Sequence, residues 1–144
     1  MQSTKPLDKN IQFLISANYQ RMITFEQAAF LTTEQSFKEF YLEKADESEI
    51  NIQQLYLMLD ANNSGGWQNA GMPNVNSDTF LSTMFHGKKS TLKILESVKI
   101  IEKNIVKWYK STLKEIIDLP VEVTGLIEQQ YKSLNHAQLQ LECL

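Results

Sequence analysis

The chain is expected to fold as an all-α four-helix bundle, on three observations. Glycine and proline are scarce and unevenly placed, 5 and 3 in 144 residues, and they leave three long stretches uninterrupted. Within those stretches apolar residues recur at steps of three and four, the spacing of a helix with one face turned to a core. No stretch reads convincingly as a strand. Four such apolar stripes are buried most economically against one another. A chain of this length can bury about two-thirds of its unfolded surface in a single core, so one domain is expected over residues 1–144.

The first helix is expected from Leu7 to Leu31, with Leu7, Ile11, Leu14, Ile15, Met22, Phe25 and Ala29 on its inner face. Thr32, Thr33 and Gln35 offer a cap and a partial capping box for a second helix, reached by a tight turn. Phe37, Tyr41, Ala45, Ile52, Leu55 and Leu59 carry the period onward. The segment Ala61 to Asp78 is rich in asparagine and glycine and has no period, so it is expected to be irregular. A short apolar piece, FLSTMF, follows and is expected to form a short extra helix from Phe80 to Phe85. Ser90 is placed to cap a third helix with Leu92, Leu95, Val98, Ile105, Tyr109, Leu113 and Ile116 inside, stopped at Asp118-Leu119-Pro120. Pro120 also suits the first turn of a fourth helix, with Glu122 near its positive end and Val123, Ile127, Tyr131, Leu134 and Leu141 along it.

Connection lengths choose the topology. The first and last connections are short and force antiparallel neighbours. The middle one is long enough to cross a helix of about 25 residues at 1.5 Å per residue. The second and third helices could then run parallel, in a ferritin-like arrangement with one long crossover. A plain up-down-up-down bundle with a long loop is the alternative.

Composition narrows the function. No apolar run approaches the roughly 18 residues of a membrane span, and no membrane role is expected. The net charge of −3 gives no electrostatic drive toward nucleic acid. The single cysteine, Cys143, has no partner for an internal disulfide, and MQSTKPLDKN lacks a secretory apolar core; both suit a cytoplasmic protein. Charge is unevenly distributed: Glu43, Asp46, Glu47 and Glu49 crowd one helix, while Lys99, Lys103, Lys107, Lys110 and Lys114 step along another. Either pattern is a solvated face supported by local ion pairs, or the lysines form a docking stripe.

The stretches RMITFEQAA, SGGWQNAGMP, ILESVKIIEKNIVKWYKSTL and LP…LIEQQ leading to NHAQL resemble, in order and spacing, a bacterial family of uncharacterised ferritin-like four-helix-bundle proteins classed as a domain of unknown function. The resemblance covers nearly the whole chain. It implies a ferritin-like fold and brings no established activity. Carried over position by position, the matching polar residues are Glu26, Glu102 and His136. A second acidic position of the family stands here as Lys99, and a glycine beside the glutamate stands as Ile101.

Glu102 raises the sharpest question, because it sits among Val98, Ile101, Ile105 and Val106. A buried carboxylate persists if hydrogen-bonded or paired, or else takes up a proton. Arg21, Asn18, Tyr19, Tyr56 and Tyr131 are available donors, and a polar layer linking the first, third and fourth helices would satisfy it and fix their register. In a neutral network, Glu102→Gln would cost little. The alternatives are a flanking position reaching solvent, and a metal ligand. A di-iron carboxylate site needs Glu-x-x-His from two helices. Neither pair is present: Ser133 precedes His136 at that spacing, and Glu128 lies about 12 Å away along the helix.

Glu26, Glu102 and His136 therefore make up part of a metal site at most. His86 and Cys143 have no arrangement that supports nucleophilic chemistry, and the Gly65-Gly66 region lacks the features of a phosphate loop. Trp67 and Met72 are expected to tuck against the bundle. The expected function is a non-catalytic bundle, without cofactor, acting by self-association as a homodimer or by docking another protein. The residues of interest for contact are Phe30, Phe40, Tyr56 and Leu57. The alternative is a ferritin-like metal-binding or redox protein with an incomplete carboxylate site for iron or another divalent metal.

Overall fold

A computed structural model describes residues 6–63, 91–116 and 120–144, which form four helices: α1 (Pro6–Leu31), α2 (Gln35–Asn63), α3 (Thr91–Glu115) and α4 (Val121–Glu142). No strand occurs among the described residues. None of the four helices is long and apolar enough to cross a membrane. The short helix expected at Phe80–Phe85, the Trp67 and Met72 contacts, the Ser90 cap, His86 and the Asp118-Leu119 stop lie outside the described residues.

Helix ends follow local chemistry. Pro6 opens α1, where its fixed φ is already helical and its missing N–H has no partner to lose. The carbonyl of Glu34 accepts the first bond of α2 from the Lys38 amide at 2.9 Å. The expected capping box is not formed: Gln35 donates to Glu39 at 3.1 Å instead, and the buried Thr32 hydroxyl has no partner among the described residues. Pro120, at φ −54° and ψ 144°, stands just outside α4 as its cap residue, one position earlier than expected, and its carbonyl accepts from the amides of Val123 and Thr124.

Side-chain contacts fix the helix directions. Arg21 reaches Ser48 and Asn18 meets Asn51, so α1 and α2 run antiparallel. Phe13 meets Trp108 while Arg21 meets Glu102, which makes α1 and α3 antiparallel as well. Gln54 pairs with Gln130 while Glu47 pairs with Ser133, and α2 and α4 are antiparallel too. It follows that α2 and α3 run in the same direction. The α1–α2 interface is the most extensive and the α2–α4 interface is thin, with α2 and α3 at opposite corners.

The interior divides into two apolar clusters. One gathers Ile11, Leu14, Ile15, Leu55, Ile105 and Ile127 with their neighbours. The other is built around Phe25, Ala28, Tyr41, Ile94, Val98 and Leu141. A fully buried aliphatic side chain of this kind contributes roughly 1.5–3 kcal/mol. Leu92, expected inside, is exposed; Ile94 and Leu95 take the inner positions at the start of α3.

Candidate functional site

The layer between the two clusters is polar, and Arg21 is its centre. Arg21 is fully buried, as is Glu102 opposite it on α3. Nε donates to Glu102 Oε1 at 2.6 Å and Nη2 to Oε2 at 2.7 Å, a two-pronged guanidinium–carboxylate pair. Nη1 donates to the Ser48 hydroxyl at 2.8 Å and the Lys44 carbonyl at 3.2 Å, and Nη2 also reaches Glu47 Oε1 at 2.9 Å. All five guanidinium hydrogens are thereby used.

The network continues through amides and hydroxyls. Ser48 donates to Asn18 Oδ1 at 3.0 Å, where Asn51 also donates at 3.2 Å. Asn18 Nδ2 donates to the Leu14 carbonyl at 2.9 Å and to the Tyr109 oxygen at 2.8 Å. Tyr109 in turn donates to Gln130 Oε1 at 2.5 Å, and Gln130 Nε2 reaches Gln54 Oε1 at 3.0 Å and the Asn51 carbonyl at 3.3 Å. Ser133 closes the α4 side by donating to Glu47 Oε2 at 2.8 Å.

Ionisation states follow from these surroundings. Burial alone would pull the Arg21 pKa down, but the Glu102 carboxylate, and after it Glu47, more than offset this and hold the guanidinium above its ordinary value. The pair is ionic. A neutral network, the condition under which Glu102→Gln would cost little, is therefore not the one present. Burial pushes the Tyr109 phenol up, partly opposed by the Asn18 hydrogen bond and the nearby Arg21.

The three carried-over residues are dispersed in their surroundings. Glu102 is interior, with both oxygens on Arg21, which corrects the flanking alternative. Glu26 is exposed on α1, its pKa raised by partial burial and then by Glu49 and Asp46 across the helix pair. His136 is exposed on α4. Among the described residues no three histidine, cysteine, aspartate or glutamate side chains are grouped so as to hold a metal ion.

Of the five donors considered for Glu102, Arg21 binds it directly. Asn18 serves the same layer one step removed, and Tyr56 hydrogen-bonds Tyr19. The layer involves all four helices rather than three, because Ser48, Asn51 and Glu47 of α2 join it. Ser48 and Gln130 carried a readable signal. Ser48 fills a seam position in the series Tyr41, Ala45, Ser48, Ile52, Leu55, and Gln130 does so between Ile127 and Leu134. A polar side chain at a seam position poses the same question as Glu102.

Where the layer meets solvent between α2 and α4, Glu47, Asn51, Gln54, Gln130 and Ser133 line an open groove of about 180 Å³. Its polar groups are largely occupied by one another, and the Glu47 side chain is 23% exposed there. No protein-family model matches the chain, and a search of curated proteins finds no match either.

Proposed function

We propose that this chain is a non-catalytic, ferritin-like helical bundle that acts through its outer surface, by self-association or by docking another protein. The observation that carries this reading is the Arg21–Glu102 pair. The interior acid is fully committed to a guanidinium, so among the described residues the buried polar groups hold helices together and present no free buried carboxylate to a substrate or an ion. The parallel course of α2 and α3 supports ferritin-like connectivity.

Large apolar side chains on the outer faces support a contact role. Phe30 is 83% exposed and Leu57 is 70% exposed, which leaves both free to enter an interface. Phe40 is half-buried against Tyr41 and Lys44, and Tyr56 is tied to Tyr19, so these two are less suited to it. The reading is tested by light scattering across a range of protein concentration. A mass above that of the monomer at high concentration is expected, and a monomeric mass throughout counts against self-association. The alternative, a metal or redox protein using Glu26, Glu102 and His136, would require Arg21 to release Glu102. Stoichiometric metal in purified protein, measured by elemental analysis, would favour it.

A further inference from the structure

The outer faces of α2 and α3 carry opposite charge. On α2, from Glu39 to Leu57, every exposed residue is acidic, apolar or an amide: Glu39, Glu43, Asp46 and Glu49 alternate with Leu42, Ile50, Gln53 and Leu57. No basic residue is exposed there. On α3, the exposed residues from Lys103 to Lys114 are Lys103, Lys107, Lys110, Ser111 and Lys114, with no acid among them. The exposed Ile100 adjoins this stripe.

Among the described residues these lysines have no acidic partner. Among the described residues the salt bridges are Arg21 with Glu47 and Glu102, and Lys44 with Glu43 at 3.7 Å. Lys103, Lys107, Lys110 and Lys114 belong to none of them. The two stripes also match in length. Glu39 to Glu49 spans about 15 Å of helix and Lys103 to Lys114 about 16 Å, each stepping by three and four residues along one face.

We propose that the lysine face of α3 docks on the acidic face of α2 in a second copy of this chain. The inference rests on the self-association reading above and gives it a surface. The two faces sit at opposite corners of the bundle and cannot meet within one molecule. The contact therefore joins unlike faces of two copies. Leu42, Ile50 and Leu57 on α2, and Ile100 on α3, supply apolar contact beside the charges. Complementary charge steers the encounter and selects the partner face, and it weakens as salt screens it.

The test uses the full chain in sedimentation velocity, at low and high salt, with two charge-reversed variants. One carries Lys103→Glu, Lys107→Glu and Lys110→Glu; the other carries Glu39→Lys, Glu43→Lys and Asp46→Lys. The unaltered protein is expected to associate at low salt and to dissociate at least tenfold more readily at high salt. Each variant alone is expected to be monomeric. An equimolar mixture of the two is expected to associate again, which also shows that both are folded. If the unaltered protein associates but the lysine-reversed variant does so equally well, the contact lies elsewhere; this inference fails while self-association stands. A monomer at low salt and high concentration removes both.

Discussion

Arg21 and Glu102, 81 positions apart in the chain, meet through two hydrogen bonds of 2.6 and 2.7 Å with both side chains fully shielded from water. Removing one partner leaves the other charge buried and alone, which in comparable cases costs about 3–5 kcal/mol. Arg21→Met and Glu102→Leu are each expected to destabilise by that amount in urea unfolding. The double variant is expected to be less destabilised than the sum of the two, with a coupling of about 2–3 kcal/mol. Glu102→Gln is expected to cost at least about 2 kcal/mol, since it leaves the guanidinium with a neutral partner. Additive single effects would show that the pair does not act as a unit.

Tyr109 both accepts from Asn18 and donates to Gln130, so Tyr109→Phe strands two buried polar groups. A loss of about 1–3 kcal/mol is expected. The phenol also sets a limit in alkali. Its folded pKa is raised above the ordinary 10.0, so its contribution is fully present below pH 10 and is lost as pH rises through the folded value. Stability measured against pH should fall above 10, and the fall should be smaller in Tyr109→Phe. A pH profile unchanged by the substitution would contradict this.

Tyr41 presents the opposite case. Its ring packs among Phe25, Phe37 and Phe40, but its hydroxyl is buried without a hydrogen-bond partner among the described residues, and burial pushes its pKa up to about 12. An unpaired buried hydroxyl is a cost to the folded state. Tyr41→Phe is therefore expected to raise stability by about 1 kcal/mol, read as a higher urea midpoint with an unchanged slope. A loss of stability would mean that the hydroxyl has a partner in solution.

Glu26 is crowded by Glu49 and Asp46, which, after partial burial, raise its pKa above 4.5. A carboxyl whose folded pKa is raised favours the folded state when protonated, and this contribution is lost as pH rises through the folded value. Glu26→Gln is expected to stabilise the protein at pH 7 by no more than roughly half a kcal/mol, since the site is exposed and screened. At pH 3 the substitution should make no difference. A larger gain at low pH than at neutral pH would reverse the assignment.

Much of the bundle was legible from helical periodicity. Ile11, Leu14, Ile15, Phe25 and Ala29 of α1 and Tyr41, Ala45, Ile52, Leu55 and Leu59 of α2 are buried as expected, with Met22 and Phe37 packed against them half-buried, and Pro120 marks the start of α4; the Leu7 side chain lies outside the described residues. The anomalous Glu102 also pointed to a buried donor, because a seam carboxylate requires one, and Arg21 was among the five available. The contributions of Ser48, Asn51 and Gln130 were less visible, since a short polar side chain at a seam position interrupts the apolar pattern only briefly. Leu92 misled because, at about 100° per residue, it lies about 120° around the helix from Val98, off the face that Ile94 and Leu95 share with Val98. The pairing of Tyr109 with two amides from other helices had no local trace, because tyrosine satisfies an apolar pattern with its ring and a polar one with its hydroxyl.

The groove between α2 and α4 has a dynamic consequence. It lies along a thin helix contact, and it is where the interior hydrogen bonds, through Glu47 with Ser133 and Gln54 with Gln130, come near to water. Solvent that replaces those bonds one at a time would loosen α4 from α2 while the α1–α2 hairpin stays intact. Amide protons of α4 around Gln130 should then exchange before those of α1 around Arg21, making the last helix the first to open.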